Sequence, residues 1–322
     1  MRTRPVGANE LDLFVEATGS PDHRRETQQY LDSMFAAGTM RPEWCFVAQE
    51  EEEGSPLGRV AFWSLPGMEE PFAIELLDVP WDGDYLDVGA SLLSAVLEEA
   101  RRLGAEEVKH VLDAPPAWPQ FQHHPAERMV LLENIGFAFR RETDRFEWRG
   151  EEPVVVPGRL SFRTLEEVGE EAFVDAIRRV SEGTLDREIR AERERLRPQG
   201  AARAFFEGAK RVEHQPSWWR LAYSRPEDDL VGLVMPAEPP GFMTIFYVGV
   251  VPEMRGRGYV DDLLTAGTAT LLEARANEGN DRPLQADTDV SNAPMAAAFE
   301  RAGWVRFARR REYSVDLILD RA

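Results

Sequence analysis

Residues 245–272 read IFYVGVVPEMRGRGYVDDLLTAGTATLL, and three consecutive structural elements can be predicted within this stretch. Its apolar, β-branched start predicts a buried strand, which should end at Pro252 because proline cannot donate to a sheet ladder. From Val260 to Leu271 apolar residues recur at helical spacing, which predicts a helix with one buried face. The predicted order is therefore strand, glycine-rich turn and helix.

The turn has the composition of an anion-binding site. Gly256 and Gly258 carry no Cβ, so main-chain amides can approach a ligand closely. These amides precede a helix, where unpaired N–H groups and the helix dipole favour an anion. Arg255 and Arg257 add charged donors for phosphate. We interpret the turn as a pyrophosphate cradle; the alternative is an ordinary strand-to-helix turn with two solvated arginines.

Two common phosphate motifs do not fit this turn, whereas a third does. No Lys-Ser or Lys-Thr follows the glycines, as a P-loop requires, and Asp261 stands where a dinucleotide fingerprint needs its third glycine. Residues 255–260 resemble the coenzyme A loop of the GNAT superfamily of N-acetyltransferases, Gln/Arg-x-x-Gly-x-Gly/Ala, with Val260 in place of the last small residue. A second GNAT signature, Asn-x-x-Ala-x-x-Leu-Tyr-x-x-x-Gly-Phe, is matched by Asn292, Met295, Ala298, Phe299, Gly303 and Trp304.

The resemblance implies acetyl-CoA as co-substrate and a set of residues that contact it. It places the pantetheine arm along the backbone of Val248 and Val250, and the N–H of Val250 is the expected catalytic donor to the developing oxyanion. Asn292 is expected at the coenzyme arm or a nearby water, with a helix cap as the alternative. The expected coenzyme contacts are Val248, Val250, Arg255, Gly256, Arg257, Gly258, Tyr259, Val260, Asn292 and Phe299.

Two departures from the family pattern concern proton transfer. The tyrosine that protonates the departing thiolate in the family is Phe299 here, so the acid must be water or another hydroxyl. Tyr259 and Tyr313 are candidates, with core packing as the alternative. The strand before the loop also lacks the glutamate that many members use as a base. Asp287 and Asp289 are the candidate catalytic carboxylates, acting through water, with solvated turn carboxylates as the alternative.

An internal repeat divides the chain. A joint rich in proline and glycine follows residue 150, which suits a domain boundary. We predict an α/β fold of two tandem GNAT-like domains, 1–150 and 159–322, each a mixed central sheet flanked by helices. The gap-free matches that carry the repeat are 44–60 with 218–234, 74–93 with 245–264, and 133–137 with 300–304.

The two copies differ in charge at the phosphate loop. The register sets Asp84 opposite Arg255 and Asp87 opposite Gly258. Carboxylates near a helix N-terminus satisfy the dipole and repel a pyrophosphate. Copy one is therefore predicted to have lost coenzyme A. Three roles remain for copy one: it packs against copy two, shapes the substrate pocket or binds another ligand.

The amino-acid composition limits the classes of function that fit this chain. The 322 residues include 38 basic and 58 acidic side chains, a net charge of −20, which disfavours nucleic acid and favours a cationic partner. The single cysteine, Cys45, fits a reducing compartment, and no apolar run could span a membrane. The histidines show no metal-ligand spacing, so no metal is expected. We expect a cytoplasmic, acyl-CoA-dependent N-acyltransferase acting on a small-molecule or peptide amine; the alternative is a non-catalytic acyl-CoA-binding or sensing protein.

Overall fold

The computed structural model describes residues 1–7, 9–17, 23–50, 54–118, 120–151 and 154–318. The chain forms two compact units, one of Met1–Arg141 with Arg310–Ala322 and the other of Glu142–Arg309. These ranges differ from the predicted domains 1–150 and 159–322, because the first unit ends earlier and takes in the C-terminal segment. Residues 152–153 of the predicted joint lie outside the described residues.

The first unit is built of strands and helices in the order β-α-α-β-β-β-α-β-α, followed by part of a further strand. Its sheet runs β1-β2-β3-β4-β5 and continues into its portions of β12 and β6. Its elements are β1 Arg2–Pro5, α1 Leu11–Glu16, α2 Arg24–Ala36, β2 Cys45–Gln49, β3 Gly58–Trp63, β4 Ala73–Asp78, α3 Tyr85–Arg102, β5 Glu107–Ala114 and α4 Pro125–Asn134. Two strands, β6 Ala138–Trp148 and β12 Trp304–Asp316, each have residues in both units.

The second unit repeats this order with one added short helix, α5. Its sheet runs β7-β8-β9-β10-β11 and ends with its portions of β6 and β12. Its elements are β7 Leu160–Thr164, α5 Leu165–Val168, α6 Glu170–Val180, α7 Arg187–Ala209, β8 Arg220–Ser224, β9 Leu230–Ala237, β10 Met243–Val250, α8 Tyr259–Glu278, β11 Leu284–Asp289 and α9 Ala293–Arg301.

Both sheets are mixed, as predicted. In each unit the strands are antiparallel up to the central strand, β4 or β10, which then pairs in parallel with the next strand, β5 or β11. Each central strand also carries a bulge, at Glu75 in β4 and at Phe246 in β10, because its pairing with the preceding strand skips that residue. These two residues are equivalent in the repeat.

The core of the second unit explains the helical pattern that follows the turn. Leu263, Leu264 and Leu271 of α8 are fully buried. At Gly267 a Cβ would lie 2.5 Å from the Ile245 side chain, far inside van der Waals contact. Glycine at this position therefore lets α8 pack directly on the central strand.

Candidate functional site

The predicted phosphate loop has the backbone geometry of an open anion site. After a 3₁₀ turn at Pro252–Met254, Gly256 has φ +75° and Gly258 has φ +71°. Residues with a Cβ rarely adopt these left-handed values, which explains both glycines. A Cβ at Gly256 would meet no atom within 4 Å, so this face of the loop is open. Gly258 is the N-cap of α8 and provides no side-chain cap.

The main-chain amides of this loop are available as donors. Arg255 N–H donates to the Pro252 carbonyl at 3.3 Å, and Asp261 N–H donates to the Gly258 carbonyl at 3.2 Å. In the described part of the chain, the N–H groups of 256–260 have no hydrogen-bond acceptor. Unpaired donors in sequence at a helix N-terminus form a ready anion site.

Arg159 sets the orientation of these amides, and sequence reasoning missed it. Its Nη1 donates to the Arg257 carbonyl at 3.2 Å, and its Nη2 donates to the Gly258 carbonyl at 2.9 Å. The guanidinium also pairs with Asp262 and lies 4.8 Å from the Tyr259 ring. In a trans peptide the N–H points opposite to the C=O. The next N–H groups, of Gly258 and Tyr259, therefore point away from Arg159.

The two predicted phosphate arginines have different environments. Arg255 donates through Nε to the Val250 carbonyl at 3.0 Å, and through Nη2 to the carbonyls of Val180 at 2.9 Å and Glu182 at 2.7 Å. It thus connects the end of β10 to the end of α6, and its guanidinium supports the loop through these carbonyls. Arg257 is exposed. Arg255 is exposed as well, but its guanidinium is bonded to three carbonyls, whereas Arg257 donates from Nη1 to Met254 Sδ at 3.5 Å. Arg257 is therefore the arginine with more freedom to contact an anion at the open amides.

Next to the loop, the central strand has a main-chain edge that no neighbouring strand covers, although its Val250 carbonyl accepts from Arg255. Among described residues, β10 pairs with β11 only at 243 and 244. On its other side Val251 N–H donates to the Val231 carbonyl of β9 at 2.9 Å. Because hydrogen-bonding direction alternates along an antiparallel pair, Val248 and Val250 direct their N–H and C=O groups away from β9. This edge is where the resemblance places the pantetheine arm.

Acidic residues in the first turn of α8 are neutralised by arginines. Asp261 pairs with Arg301 at 2.8 Å, and the buried Asp262 pairs with Arg159. Carboxylates in a first helical turn would otherwise repel a bound anion. The loop therefore presents donors without an uncompensated negative charge beside them.

The corresponding loop of the first unit has the opposite character. Asp84 is the N-cap of α3, and Asp87 lies in its first turn. Both side chains are exposed, and within the described ranges neither has an ion-pair partner. Their charge gives a physical basis for the predicted loss of coenzyme A from copy one, which stays a prediction.

Side chains fill the gap between the central strands of the first unit. Arg128 is buried and donates from Nη1 to the Leu77 carbonyl of β4 at 2.7 Å. On the facing strand, Gln122 donates to the Val111 carbonyl at 2.5 Å and accepts from Asp113 N–H at 2.9 Å. These main-chain groups on the two facing edges are thus bonded to side chains of the protein itself.

The two predicted catalytic carboxylates lie at the end of β11 in unlike settings. Asp289 is buried and accepts from Arg187 N–H at 3.2 Å, from Ser291 N–H at 2.8 Å and from Ser291 Oγ at 2.6 Å. Asp287 is exposed and lies 3.3 Å from Nε of Arg145. Asp287 is therefore exposed but paired with Arg145, whereas Asp289 is bonded to the local backbone.

The residues of the second signature have structural contacts. Asn292 is the N-cap of α9, and its Oδ1 accepts from Met295 N–H at 3.4 Å, as the capping alternative expects. Phe299 is 2% exposed and stacks on Phe146 with ring centroids 5.2 Å apart. Its edge faces Trp304. In this conformation Phe299 belongs to the core of the second unit.

The described residues contain no cluster of His, Cys, Asp and Glu placed to hold a metal ion. Within the same residues, no helix combines the length and apolar character that a membrane crossing needs. Cys45 is fully buried, and burial raises its pKa to about 12.

The fold has solved counterparts. A GCN5-related N-acetyltransferase from Sphaerobacter thermophilus matches with a TM-score of 0.61 and 15% identity, over 98% of this chain and 95% of that one. A tandem GNAT protein from the clavulanic acid biosynthesis pathway matches with a TM-score of 0.53 and 17% identity, over 98% of both chains. No protein-family model matches this sequence, and no curated protein is detectably similar to it. At these identities the likeness shows the fold, so the predicted tandem GNAT fold is confirmed.

Proposed function

We propose that this chain, which has the tandem GNAT fold, transfers an acetyl group from coenzyme A to a primary amine, and that its second unit carries the reaction. One observation carries the proposal: the unpaired amides of 256–260 lie at the N-terminus of α8, next to the free edge of β10. An anion cradle adjoining an unpaired strand edge suits a ligand with a pyrophosphate and an amide-containing arm. Coenzyme A has both parts.

Each part of the site has a separate task. The amides of 256–260, aimed by Arg159, bind the pyrophosphate, and the exposed Arg257 adds charge. Val248 holds the arm through main-chain hydrogen bonds, and Val250 contributes its N–H, because its carbonyl already accepts from Arg255. The Val250 N–H donates to the acetyl oxygen as negative charge develops there, which lowers the barrier without a side-chain donor.

The acceptor amine must lose a proton before it attacks. An alkyl ammonium has a pKa near 10.4, so a base or water must take the proton at neutral pH. Asp287 is the more accessible of the two candidate carboxylates, because the buried Asp289 is already bonded to Arg187 and Ser291. A cationic acceptor remains our expectation from the net charge of −20.

A second candidate function is supported by two side chains. Phe299 has no hydroxyl and lies in the core, and Phe246 occupies the bulge of the central strand without a carboxylate. A site that lacks both an acid and a base can bind acyl-CoA without turning it over. The protein would then be an acyl-CoA-binding or sensing protein.

One assay separates these functions. The full-length protein is mixed with acetyl-CoA and a panel of primary amines, and released thiol is followed with a thiol-reactive dye; calorimetry measures acetyl-CoA binding. Cys45 does not contribute signal, because it is buried and protonated. Amine-dependent thiol release supports transfer, and binding without release supports the sensing function. Absence of binding contradicts both.

A further inference from the structure

The loop between α6 and α7, residues 181–186, is held at its start by an arginine that sequence analysis predicts as a phosphate ligand. Arg255 Nη2 donates to the carbonyls of Val180 at 2.9 Å and of Glu182 at 2.7 Å. Arg255 Nε donates to the carbonyl of Val250, the last residue of β10, at 3.0 Å. One guanidinium therefore fixes the start of the α6–α7 loop to the end of the central strand.

The end of the α6–α7 loop is fixed to the neighbouring strand, β11. Ser291 Oγ lies 2.7 Å from the Leu185 carbonyl oxygen, and Arg187 N–H donates to the Asp289 carboxylate at 3.2 Å. Within the described chain, β10 and β11 are paired only at 243 and 244. The loop thus connects the ends of two strands beyond their paired part, which is where the pantetheine arm is proposed to lie.

The α6–α7 loop and α8 lie on opposite faces of the sheet. A Cβ at Gly267 of α8 would lie 2.7 Å from the Val234 side chain, and Val248 is paired directly with Val234. The next residue of β10, Gly249, points the other way, and a Cβ there would lie 2.9 Å from the Val180 side chain at the end of α6. An amine that attacks a thioester beside β10 therefore approaches past the α6–α7 loop, because α8 and the pyrophosphate occupy the other face.

We propose that Arg255 acts on the acceptor amine and not on the coenzyme, as a positioning residue that holds the α6–α7 loop beside the path of the amine. Asp289 and Ser291 hold the other end of the same loop. The inference rests on the proposed acetyl transfer, and it gives Arg255 and Asp289 roles different from the phosphate ligand and the base that sequence analysis predicts. The bond-forming step is unchanged: the amine attacks the thioester carbon and the thiolate leaves.

The test compares amine kinetics with coenzyme binding in the full-length protein. Thiol release from acetyl-CoA is measured with n-butylamine, benzylamine and spermidine, and the amine with the highest kcat/KM is used for the variants. In Arg255→Gln, kcat/KM for this amine at saturating acetyl-CoA should fall about 10- to 100-fold, because a small misplacement of a reacting group is costly. The calorimetric dissociation constant of acetyl-CoA should stay within about threefold of the native value. A loss of acetyl-CoA affinity as large as the kinetic loss would overturn the proposal.

Two further substitutions separate position from charge. Arg257→Gln, at the neighbouring exposed arginine, should weaken acetyl-CoA binding about fivefold and leave the amine kcat/KM at saturating acetyl-CoA at its native value. Arg255→Lys keeps the charge but loses the forked donor geometry that reaches three carbonyls. Its amine kcat/KM should therefore stay well below the native value. Full recovery with lysine would show that charge alone is needed and would refute the positioning role.

Hydrogen exchange measures the anchoring of the loop without turnover. In Arg255→Gln the amides of 181–187 should exchange at least about tenfold faster than in the native protein, because bonds from a charged donor are lost, whereas the amides of α8 should be unchanged. If Arg255→Gln does not fold, Ser291→Ala should give the same pattern with an effect of about three- to tenfold. Unchanged exchange of 181–187 would contradict this inference alone, whereas native protein without thiol release for any of the three amines would contradict the proposed transfer as well.

Discussion

Gly258→Asp should abolish most of the acetyl-CoA affinity of the second unit through charge alone. Gly258 has φ +71°, a region that asparagine and aspartate tolerate better than other residues with a Cβ. A Cβ there would lie 3.6 Å from Arg159 Nη2, an ordinary contact, so the change adds no overlap. The Arg159 guanidinium already pairs with Asp262 and cannot fully neutralise a second carboxylate. The substitution reproduces Asp87, the equivalent residue of copy one.

The magnitude follows from the position of the new charge. A carboxylate at residue 258 would lie about 5 Å from phosphates held by the adjacent amides, which at an effective dielectric constant of about 60 costs about 1 kcal/mol per charge pair. Two phosphate charges give about 2 kcal/mol, which corresponds to about 30-fold weaker binding. Salt should reduce the effect, because the Debye length is about 8 Å at physiological ionic strength.

Two control variants separate the effect of the new charge from the effects of side-chain shape and of charge elsewhere on α8. Gly258→Asn has nearly the same shape without the charge and should bind acetyl-CoA close to the native value. Gly279→Asp adds the same charge at φ +64° beyond the last turn of the 20-residue α8, about 30 Å from the loop, and should have no effect. Calorimetric titration of acetyl-CoA into the three variants is the assay. Equal losses for Asp and Asn at 258 would indicate steric exclusion, and native affinity for Gly258→Asp would refute the cradle.

Three other substitutions test separate parts of the structure. Arg159→Gln should weaken acetyl-CoA binding about tenfold and lower the unfolding free energy by about 1–3 kcal/mol, because the loop carbonyls lose their donor and Asp262 loses its partner. Unchanged affinity in calorimetry would contradict the proposal that Arg159 orients the loop. Burial lowers the pKa of His110 to about 4, and the neutral ring is bonded to the Ile74 carbonyl. The ring therefore contributes about 3 kcal/mol to the unfolding free energy above pH 6.5, and this contribution is lost as the pH falls towards 4. In urea unfolding, His110→Asn should lose less stability between these pH values than the native protein does. Phe299→Tyr should lower the unfolding free energy by about 1–3 kcal/mol, since the added hydroxyl is buried in the core. Faster thiol release with an unchanged unfolding free energy would instead place residue 299 beside the thioester.

Local features of the structure were predictable from the sequence. The strand, turn and helix of 245–272 occur where the pattern indicates, because the apolar period and the two positive-φ glycines act within a few residues. The internal repeat predicted two units of similar element order for the same reason, since matching local patterns form matching elements. The anion loop and the open strand edge at Val248 and Val250 follow from this order once the strand direction is known.

Contacts between residues far apart in the chain were decided only by the tertiary structure. Arg159 lies 99 positions before Gly258, yet it orients the loop, and Arg255 bonds carbonyls of α6 where the sequence suggested a phosphate ligand. The grouping of Arg310–Ala322 with the first unit also depends on non-local packing. Polar side chains such as Asp289 acquire their partners in the same way, since a hydrogen bond depends on position in space, which sequence spacing does not specify for distant segments.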